Sequence, residues 1–146
     1  TKLVEDAGAL VVVDRFCFGS TPGREEIHLD PDLPVLESIA RHYLSTSQCP
    51  RFMQREKVDG RWQLVRDLCA EYHAQGVLYE QLKFCEYWGY ERAQDGRWFY
   101  EGYELPRSIP VCQIEKDYTS AASGQLRTRF QAFIATQESK QRQAQQ

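Results

Sequence analysis

The sequence predicts an α/β fold in which helices cover both faces of a parallel sheet. Three apolar segments, residues 9–16, 76–84 and 109–117, have the β-branched and aromatic composition of strands. Helical patterns of about ten to twenty residues separate them, and parallel strands need crossovers of this length. The strand segments are nearly continuous in apolar residues, as in strands that are buried on both faces. The expected architecture is therefore a doubly wound parallel sheet of the flavodoxin or Rossmann type.

The first half of the chain predicts a helix end, a strand and two amphipathic helices. Residues 1–8 resemble the last turns of a helix that Gly8 closes, and the first strand follows directly. A loop rich in glycine and proline then leads to a helix over residues 33–46. A second helix covers residues 55–74 and should stop at Gly76. The first of these two helices has six apolar residues on one face: Val35, Leu36, Ile39, Ala40, Tyr43 and Leu44.

The second half alternates the remaining strands with an aromatic segment and a last helix. The strand over residues 76–84 precedes a mixed aromatic segment, residues 86–104, and the strand over 109–117. The apolar stripe of the last helix consists of Leu126, Phe130, Phe133 and Ile134. We expect residues 1–139 to form one domain and the polar residues 140–146 to be a tail that frays. Because the chain opens in mid-helix, this domain looks like a piece of a larger polypeptide.

Composition excludes several classes of function. The 146 residues carry a formal net charge of −3, with no basic patch for nucleic acid. No apolar stretch approaches the roughly 20 residues that a membrane span needs, and no leader pattern argues for export. The five cysteines are odd in number, widely spaced and without a CxxC pair, which favours a reducing compartment. We therefore expect a cytoplasmic protein that binds neither nucleic acid nor membrane.

Two of the predicted strands are followed at once by a cysteine. Cys17 follows the first strand and Cys85 the second, and the carboxyl ends of parallel strands gather at one edge, where ligands bind. Cys85 also precedes Tyr87, Trp88 and Tyr90, whose rings could exclude water from the thiol. Two interpretations of Cys85 remain open at this point. It is a thiolate ligand of a metal or cluster, or it is a small buried side chain.

The loop after the third strand, residues 117–124, offers polar groups to the same edge. Asp117 and Tyr118 either cap this loop or act as catalytic residues that supply protons. The last helix should begin at Gly124 and Gln125, and its free N–H groups favour an anion such as a phosphate or a reduced cluster.

The other cysteines and most aromatic residues have structural interpretations. Cys69 lies in a helix stripe and Cys112 inside a strand, so both should be buried, whereas Cys49 in a polar loop is an incidental thiol. The aromatic-rich region should form core and a subunit interface, or else line a pocket for an aromatic acyl group. Its members are Tyr79, Tyr87, Trp88, Tyr90, Trp98, Phe99, Tyr100 and Tyr103.

Four segments together resemble one enzyme family over nearly the whole chain. This family comprises the 2-hydroxyacyl-CoA dehydratases and the benzoyl-CoA reductases, and the resemblance is to its C-terminal part. The closing glycine-glutamine-leucine-arginine pattern is fairly specific. The segments are "VVVDRFCFGS", "GVLYEQLKFCEYWGYE", "IPVCQIEKDY" and "SGQLRTRFQAFI".

The resemblance implies an iron–sulfur subunit of which this chain is the C-terminal α/β domain. In the family, three cysteine thiolates hold a [4Fe-4S]-type cluster with one open iron site. Cys85 matches the third ligand, and the remaining ligands would lie outside this chain. Cys17 matches a family cysteine close to the site. The chain departs from the family at Glu86 and Tyr87, where Asp-Pro commonly follows the cysteine.

The resemblance also implies a function and partners. A separate ATP-dependent iron–sulfur activator would deliver a low-potential electron, and a paired homologous subunit would complete the site for an acyl-CoA substrate. The richness in aromatic residues favours reduction of an aromatic ring, the oxidoreductase reaction of the benzoyl-CoA reductases. The alternative is the lyase reaction of the 2-hydroxyacyl-CoA dehydratases, in which a ketyl radical allows water to leave. This chain alone should be inactive. From the residues alone, a non-catalytic anion-binding or assembly domain also remains open.

Overall fold

The computed structural model describes residues 1–17, 23–47, 49, 51, 58–90, 109–119 and 123–144. Four helices and two strands follow one another in this part of the chain: α1 (Lys2–Glu5), α2 (Val35–Thr46), α3 (Val58–Glu71), β1 (Val77–Leu82), β2 (Val111–Lys116) and α4 (Ser123–Ala144). Residues 86–90 are also helical. Most of the elements predicted from the sequence are therefore confirmed, and their bounds differ by a few residues.

The two strands β1 and β2 form a parallel pair, as the sequence predicts. Val77 lies opposite Val111, and the register continues to Leu82 opposite Lys116. One further backbone bond at the carboxyl end, from the Lys83 N–H to the Lys116 carbonyl, measures 2.7 Å. The carboxyl ends of both strands therefore lie side by side at one edge of the sheet.

The core lies where α4 and α1 pack against the sheet. Ile114 of β2 is 2% exposed, and Leu126 and Phe130 of α4 are buried with it. Five partly buried residues pack around these three: Leu3, Val4, Ala7, Leu78 and Cys112. The α4 stripe predicted from the sequence thus faces the sheet.

Gly76 permits a close approach between α4 and the start of β1. A Cβ atom at this position would lie 3.0 Å from Cζ of the Phe133 ring and 3.6 Å from the Pro110 carbonyl oxygen. Because the contact with the Phe133 ring is tighter than an ordinary van der Waals distance, a side chain here would displace this ring of α4.

Two helices end in the same hydrogen-bonded turn. After α1, Gly8 has a φ of 103°, and the Ala9 N–H donates to the Val4 carbonyl, so Gly8 closes this helix as predicted. After α3, His73 has a φ of 50°, and the Ala74 N–H donates to the Cys69 carbonyl. The predicted stop of α3 at Gly76 is therefore wrong by a few residues, because His73 takes the left-handed position that usually favours glycine.

The first predicted strand does not form. Residues 9–16 belong to neither strand of the two-stranded sheet that the described residues contain. Exposure alternates along this segment, with Leu10 at 76% and Val12 at 43%, rather than being low on both faces. The described residues thus show an α/β chain with a small parallel sheet, and they do not show the doubly wound arrangement. The valines favour an extended backbone, but strand formation also requires a neighbouring edge in register.

The apolar stripe of α2 is on the exposed side of the helix. Leu36 is 80% and Val35 57% exposed, whereas Ser38 is only 4% exposed. The preceding loop covers the polar side, where the Asp30 N–H donates to Ser38 Oγ at 3.2 Å. The helix is confirmed, but it does not bury the face that the periodicity indicates.

The last helix is longer than the sequence indicates. α4 continues to Ala144 and so includes residues 140–144 of the segment expected to fray. Arg142 forms an ion pair of 3.1 Å with Glu138, four residues earlier. This spacing supports helices modestly, and no glycine or proline interrupts the final turns. Among the described helices, none has the length and apolar composition to cross a membrane.

Candidate functional site

Cys85 lies immediately beyond the carboxyl end of β1. The chain turns through Lys83 and Phe84, and the Cys85 N–H donates to the Leu82 carbonyl at 3.0 Å. The Cys85 carbonyl in turn accepts the Gly89 N–H at 3.0 Å, which begins the helical residues 86–90. The thiol is half-buried in this strand-to-helix turn. Its location at the carboxyl edge of a parallel sheet agrees with the sequence-based expectation.

Phe84 has an unusual conformation next to this thiol. Its φ is 67°, in the left-handed region that bulky residues rarely adopt, and its side chain is 96% exposed. Tyr118, just beyond β2, is 88% exposed. Because Leu82 pairs with Lys116, both aromatic residues lie two positions beyond a paired residue. Two exposed rings thus follow the ends of neighbouring strands.

Asp117 is fixed at the same edge by three hydrogen bonds. Its Oδ1 accepts bonds from the Thr119 hydroxyl at 2.6 Å and the Thr119 N–H at 2.9 Å, and its Oδ2 accepts one from Lys83 Nζ at 3.2 Å. The bonds from Thr119, followed by the Lys83 ammonium, lower the pKa of the Asp117 carboxyl to about 2. The group is therefore ionised at neutral pH, where it can accept a proton but has none to donate.

We expect that removing the negative charge of Asp117 lowers the stability of the fold at neutral pH but not at acidic pH. A lowered pKa stabilises the fold above the unfolded-state pKa of about 3.9, and this contribution is lost as the pH falls towards about 2. Asp117→Asn should therefore be less stable than the unaltered protein at pH 6, and the difference should shrink below pH 4. Urea unfolding followed by tryptophan fluorescence measures it, with Glu71→Gln as a control away from this edge. A difference that stays constant between pH 2 and pH 6 would contradict this account.

Two arginines bring distant segments of the chain to the residues after Cys85. The guanidinium carbon of Arg15 lies 4.9 Å from the ring centroid of Trp88. The guanidinium carbon of Arg51 lies 6.0 Å from the ring centroid of Tyr87. Both distances are within the range of cation–π attraction. The segments that contain Cys17 and Cys49 therefore lie beside the segment that contains Cys85.

The place where these three segments approach one another, the thiol junction, brings Cys17, Cys49 and Cys85 into one neighbourhood. Cys49 is half-buried and Cys17 is exposed. Burial, partly offset by a backbone hydrogen bond from Arg51, raises the pKa of the Cys49 thiol, and the nearby Cys17 and Cys85 thiols raise it further. The interpretation of Cys49 as an incidental thiol missed this placement. No local spacing in the sequence could have revealed it, because the three cysteines come from three separate loops.

The other two cysteines lie apart from this group of thiols. Cys69 is buried in α3, as predicted, and burial raises the pKa of its thiol. Cys112 is half-buried at the edge of the core rather than fully buried, because it packs beside Leu78 and Ile114 on a sheet of only two described strands. Burial raises the pKa of the Cys112 thiol too.

The donor set of the junction suits a soft metal centre. Thiolates favour iron–sulfur clusters over hard cations. The Trp88 indole N–H is buried and has no acceptor within the described residues, so it could donate to a bound sulfur. Among these residues, however, no three potential ligands are arranged to hold a metal ion. A cluster at Cys85 would therefore need ligands beyond them.

The remaining candidates have less structural support. Gly124 and Gln125 are exposed in the first turn of α4, which begins at Ser123. Four aromatic residues of the predicted interface, Trp98, Phe99, Tyr100 and Tyr103, lie outside the described residues.

Comparison with known families identifies the chain. The family model of the 2-hydroxyglutaryl-CoA dehydratase D-component matches residues 1–136, which include all three thiols of the junction and both strands. A comparison with curated proteins finds no match. Because the family match spans most of the chain, the protein belongs to the 2-hydroxyglutaryl-CoA dehydratase D-component family.

Proposed function

We propose that this chain is part of an iron–sulfur subunit of a benzoyl-CoA reductase-type enzyme. The subunit takes low-potential electrons from an ATP-dependent activator and uses them to reduce the ring of an aromatic acyl-CoA. Family membership supports an enzyme subunit that works with a partner subunit and an activator. The observation that carries the proposal is the half-buried Cys85 at the carboxyl edge of the sheet, with the segments of Cys17 and Cys49 beside the residues that follow it.

Cys85 is the proposed iron ligand, with Cys17 as a second candidate and the remaining ligands outside this chain. When bound, a [4Fe-4S]-type cluster supplies one-electron chemistry at low potential. The half-buried turn limits the access of water to the Cys85 sulfur. Arg15 and Arg51 contact the rings of Trp88 and Tyr87 just after Cys85, and the Trp88 N–H is a donor available to sulfur.

The groups beside the thiols suit an aromatic acyl-CoA. Phe84 and Tyr118 present exposed rings on which a planar group could stack. In this proposal the Tyr118 phenol supplies a proton to the reduced ring, whereas the Asp117 carboxylate, with its lowered pKa, accepts one or orients the loop. The exposed first turn of α4 at Gly124 and Gln125 is a candidate site for a CoA phosphate.

A second candidate function is the elimination of water from a 2-hydroxyacyl-CoA. The family description itself favours it, because the matching model is that of a 2-hydroxyglutaryl-CoA dehydratase component. Both functions use the same proposed thiolate ligand and the same kind of activator. They differ in the acyl group that would contact the exposed rings of Phe84 and Tyr118.

Anaerobic reconstitution with iron and sulfide tests the proposal. We expect the protein, assembled with its partner subunit, to develop a sulfur-to-iron charge-transfer band and to consume benzoyl-CoA when the activator and ATP are present. Turnover of 2-hydroxyglutaryl-CoA but not benzoyl-CoA would select the dehydratase function. Absence of the band in the assembled protein would leave only a non-catalytic role in anion binding or assembly.

A further inference from the structure

Lys83 joins the carboxyl ends of the two strands twice. Its backbone N–H donates to the Lys116 carbonyl at 2.7 Å, and its side-chain Nζ donates to Asp117 Oδ2 at 3.2 Å. The first bond extends the pairing of β1 with β2. The second connects the two loops that leave these strands, across 34 positions of the sequence. The Lys83 side chain therefore ties the loops together beyond the end of the sheet.

Asp117 extends this connection to the residues on either side of Tyr118. Its Oδ1 accepts bonds from the Thr119 hydroxyl at 2.6 Å and from the Thr119 N–H at 2.9 Å. Tyr118 stands between the two residues that these bonds join, and its side chain is exposed. A ring this exposed gains little orientation from packing, so the backbone of residues 117–119 sets where the phenol lies.

The turn that follows Lys83 has a strained backbone. Phe84 adopts a positive φ of 67° although it is not glycine, and its almost fully exposed ring does not explain this conformation by packing. A strained conformation persists only where the surrounding structure holds it. Lys83 directly precedes Phe84 and is held at both its N–H and its Nζ, which restricts this turn.

We propose that Lys83 is a positioning residue, which acts through Asp117 to hold the loop of Tyr118 beside the turn of Phe84. The ion pair is partly exposed, with 45% of the Lys83 side chain and 30% of the Asp117 side chain accessible to solvent. Pairs this exposed add little to the free energy of unfolding, so Lys83 acts on the arrangement of the loops and not on the stability of the fold. Its consequence for catalysis rests on the proposed function, in which the Tyr118 phenol supplies a proton.

Solvent exchange of the Thr119 amide, measured by NMR on the metal-free protein, tests the positioning directly. This amide donates to the carboxylate that Lys83 holds. Lys83→Met keeps most of the side-chain length but removes the charge, and it should accelerate the exchange at least about threefold, because the loop opens more often. The midpoint of thermal unfolding should stay within about 2 °C. Lys83→Arg, which restores a cationic donor, should return the exchange rate to within about twofold of that of the unaltered protein.

Lys116→Met is the matched control for this test. Lys116 Nζ forms an ion pair of 3.1 Å with Glu80 Oε1, between the same two strands and with a similar exposure of 38% and 26%. Because this pair does not hold the Asp117 carboxylate, the Thr119 amide of Lys116→Met should exchange at the rate of the unaltered protein. Equal acceleration in Lys83→Met and Lys116→Met, or no slowing in Lys83→Arg, would overturn the proposal.

Turnover by the assembled enzyme separates this inference from the proposed function. Lys83→Met should lower kcat for the acyl-CoA at least about tenfold, because a displaced proton donor slows proton transfer, and Lys83→Arg should restore it. An unchanged kcat in Lys83→Met would overturn the role of Lys83 in catalysis. If the unaltered enzyme consumes no acyl-CoA, the proposed function is wrong, and the exchange of the Thr119 amide still decides whether Lys83 positions the loop.

Discussion

Cys85→Ser should abolish iron binding and turnover in the assembled enzyme while the fold persists. Serine is nearly isosteric with cysteine, but its hydroxyl is a harder and far less acidic donor than a thiol. The side chain lies in a turn and is only half-buried, so the core around Ile114 keeps its contacts. Iron content, the reduced-state EPR signal and activity with activator and ATP measure the loss, and circular dichroism follows the fold.

Cys69→Ser is the matched control for this change. Cys69 is buried in α3, away from the thiol junction, and an added buried hydroxyl should cost roughly 1–3 kcal/mol of folding free energy. The fraction of the Cys69→Ser protein that folds should retain its iron. The two variants therefore separate ligand loss from loss of stability. Full iron and activity in Cys85→Ser would mean that Cys85 is only a half-buried thiol.

Truncation of Phe130 should cause the largest loss of stability among single changes in the described core. Phe130 is 4% exposed and packs with Ile114 and Leu126 where α4 meets the sheet. Phe130→Ala removes a buried ring and leaves a cavity, for which a loss of about 3–5 kcal/mol is typical. Urea unfolding monitored by circular dichroism measures the change in the free energy of unfolding.

Leu36→Ala provides the comparison for this prediction. Leu36 is equally apolar, but it is 80% exposed on α2, so its truncation should change stability by less than about 0.5 kcal/mol. A loss as large as that of Phe130→Ala would mean that the apolar side of α2 is covered in solution. The pair of variants thus tests both the core and the exposed face.

The sequence predicted the sheet and its helices best where local pattern and packing agree. The pairing of β1 with β2 and the apolar stripe of α4 were predicted from apolar segments, and the structure buries residues of these segments in one core. Residues 9–16 show the limit of this reasoning. Valine-rich composition favours an extended backbone, yet a strand exists only when another backbone edge lies beside it. Periodicity likewise predicted α2 correctly, but most of the apolar face of this helix is exposed.

The candidate site was predictable only in part, because its members come from separate loops. Cys85 could be predicted because it directly follows a strand, and the topology of a parallel sheet brings the carboxyl ends of its strands to one edge. Cys49 follows no strand and has no spacing motif, so its proximity to Cys17 depends on how two loops pack. Arg15 and Arg51 were missed for the same reason, as their contacts with Trp88 and Tyr87 are tertiary.

The backbone of Phe84 limits which residues can replace it during evolution. With a φ of 67° and a side chain that is 96% exposed, this position has no packing requirement within the described residues, but it has a conformational one. Glycine or asparagine would relieve a strain of about 1–3 kcal/mol, whereas valine or isoleucine would increase it. A phenylalanine retained at such a position across related sequences would mean that selection acts on the ring itself. Drift to glycine would mean that only the turn before Cys85 is under selection.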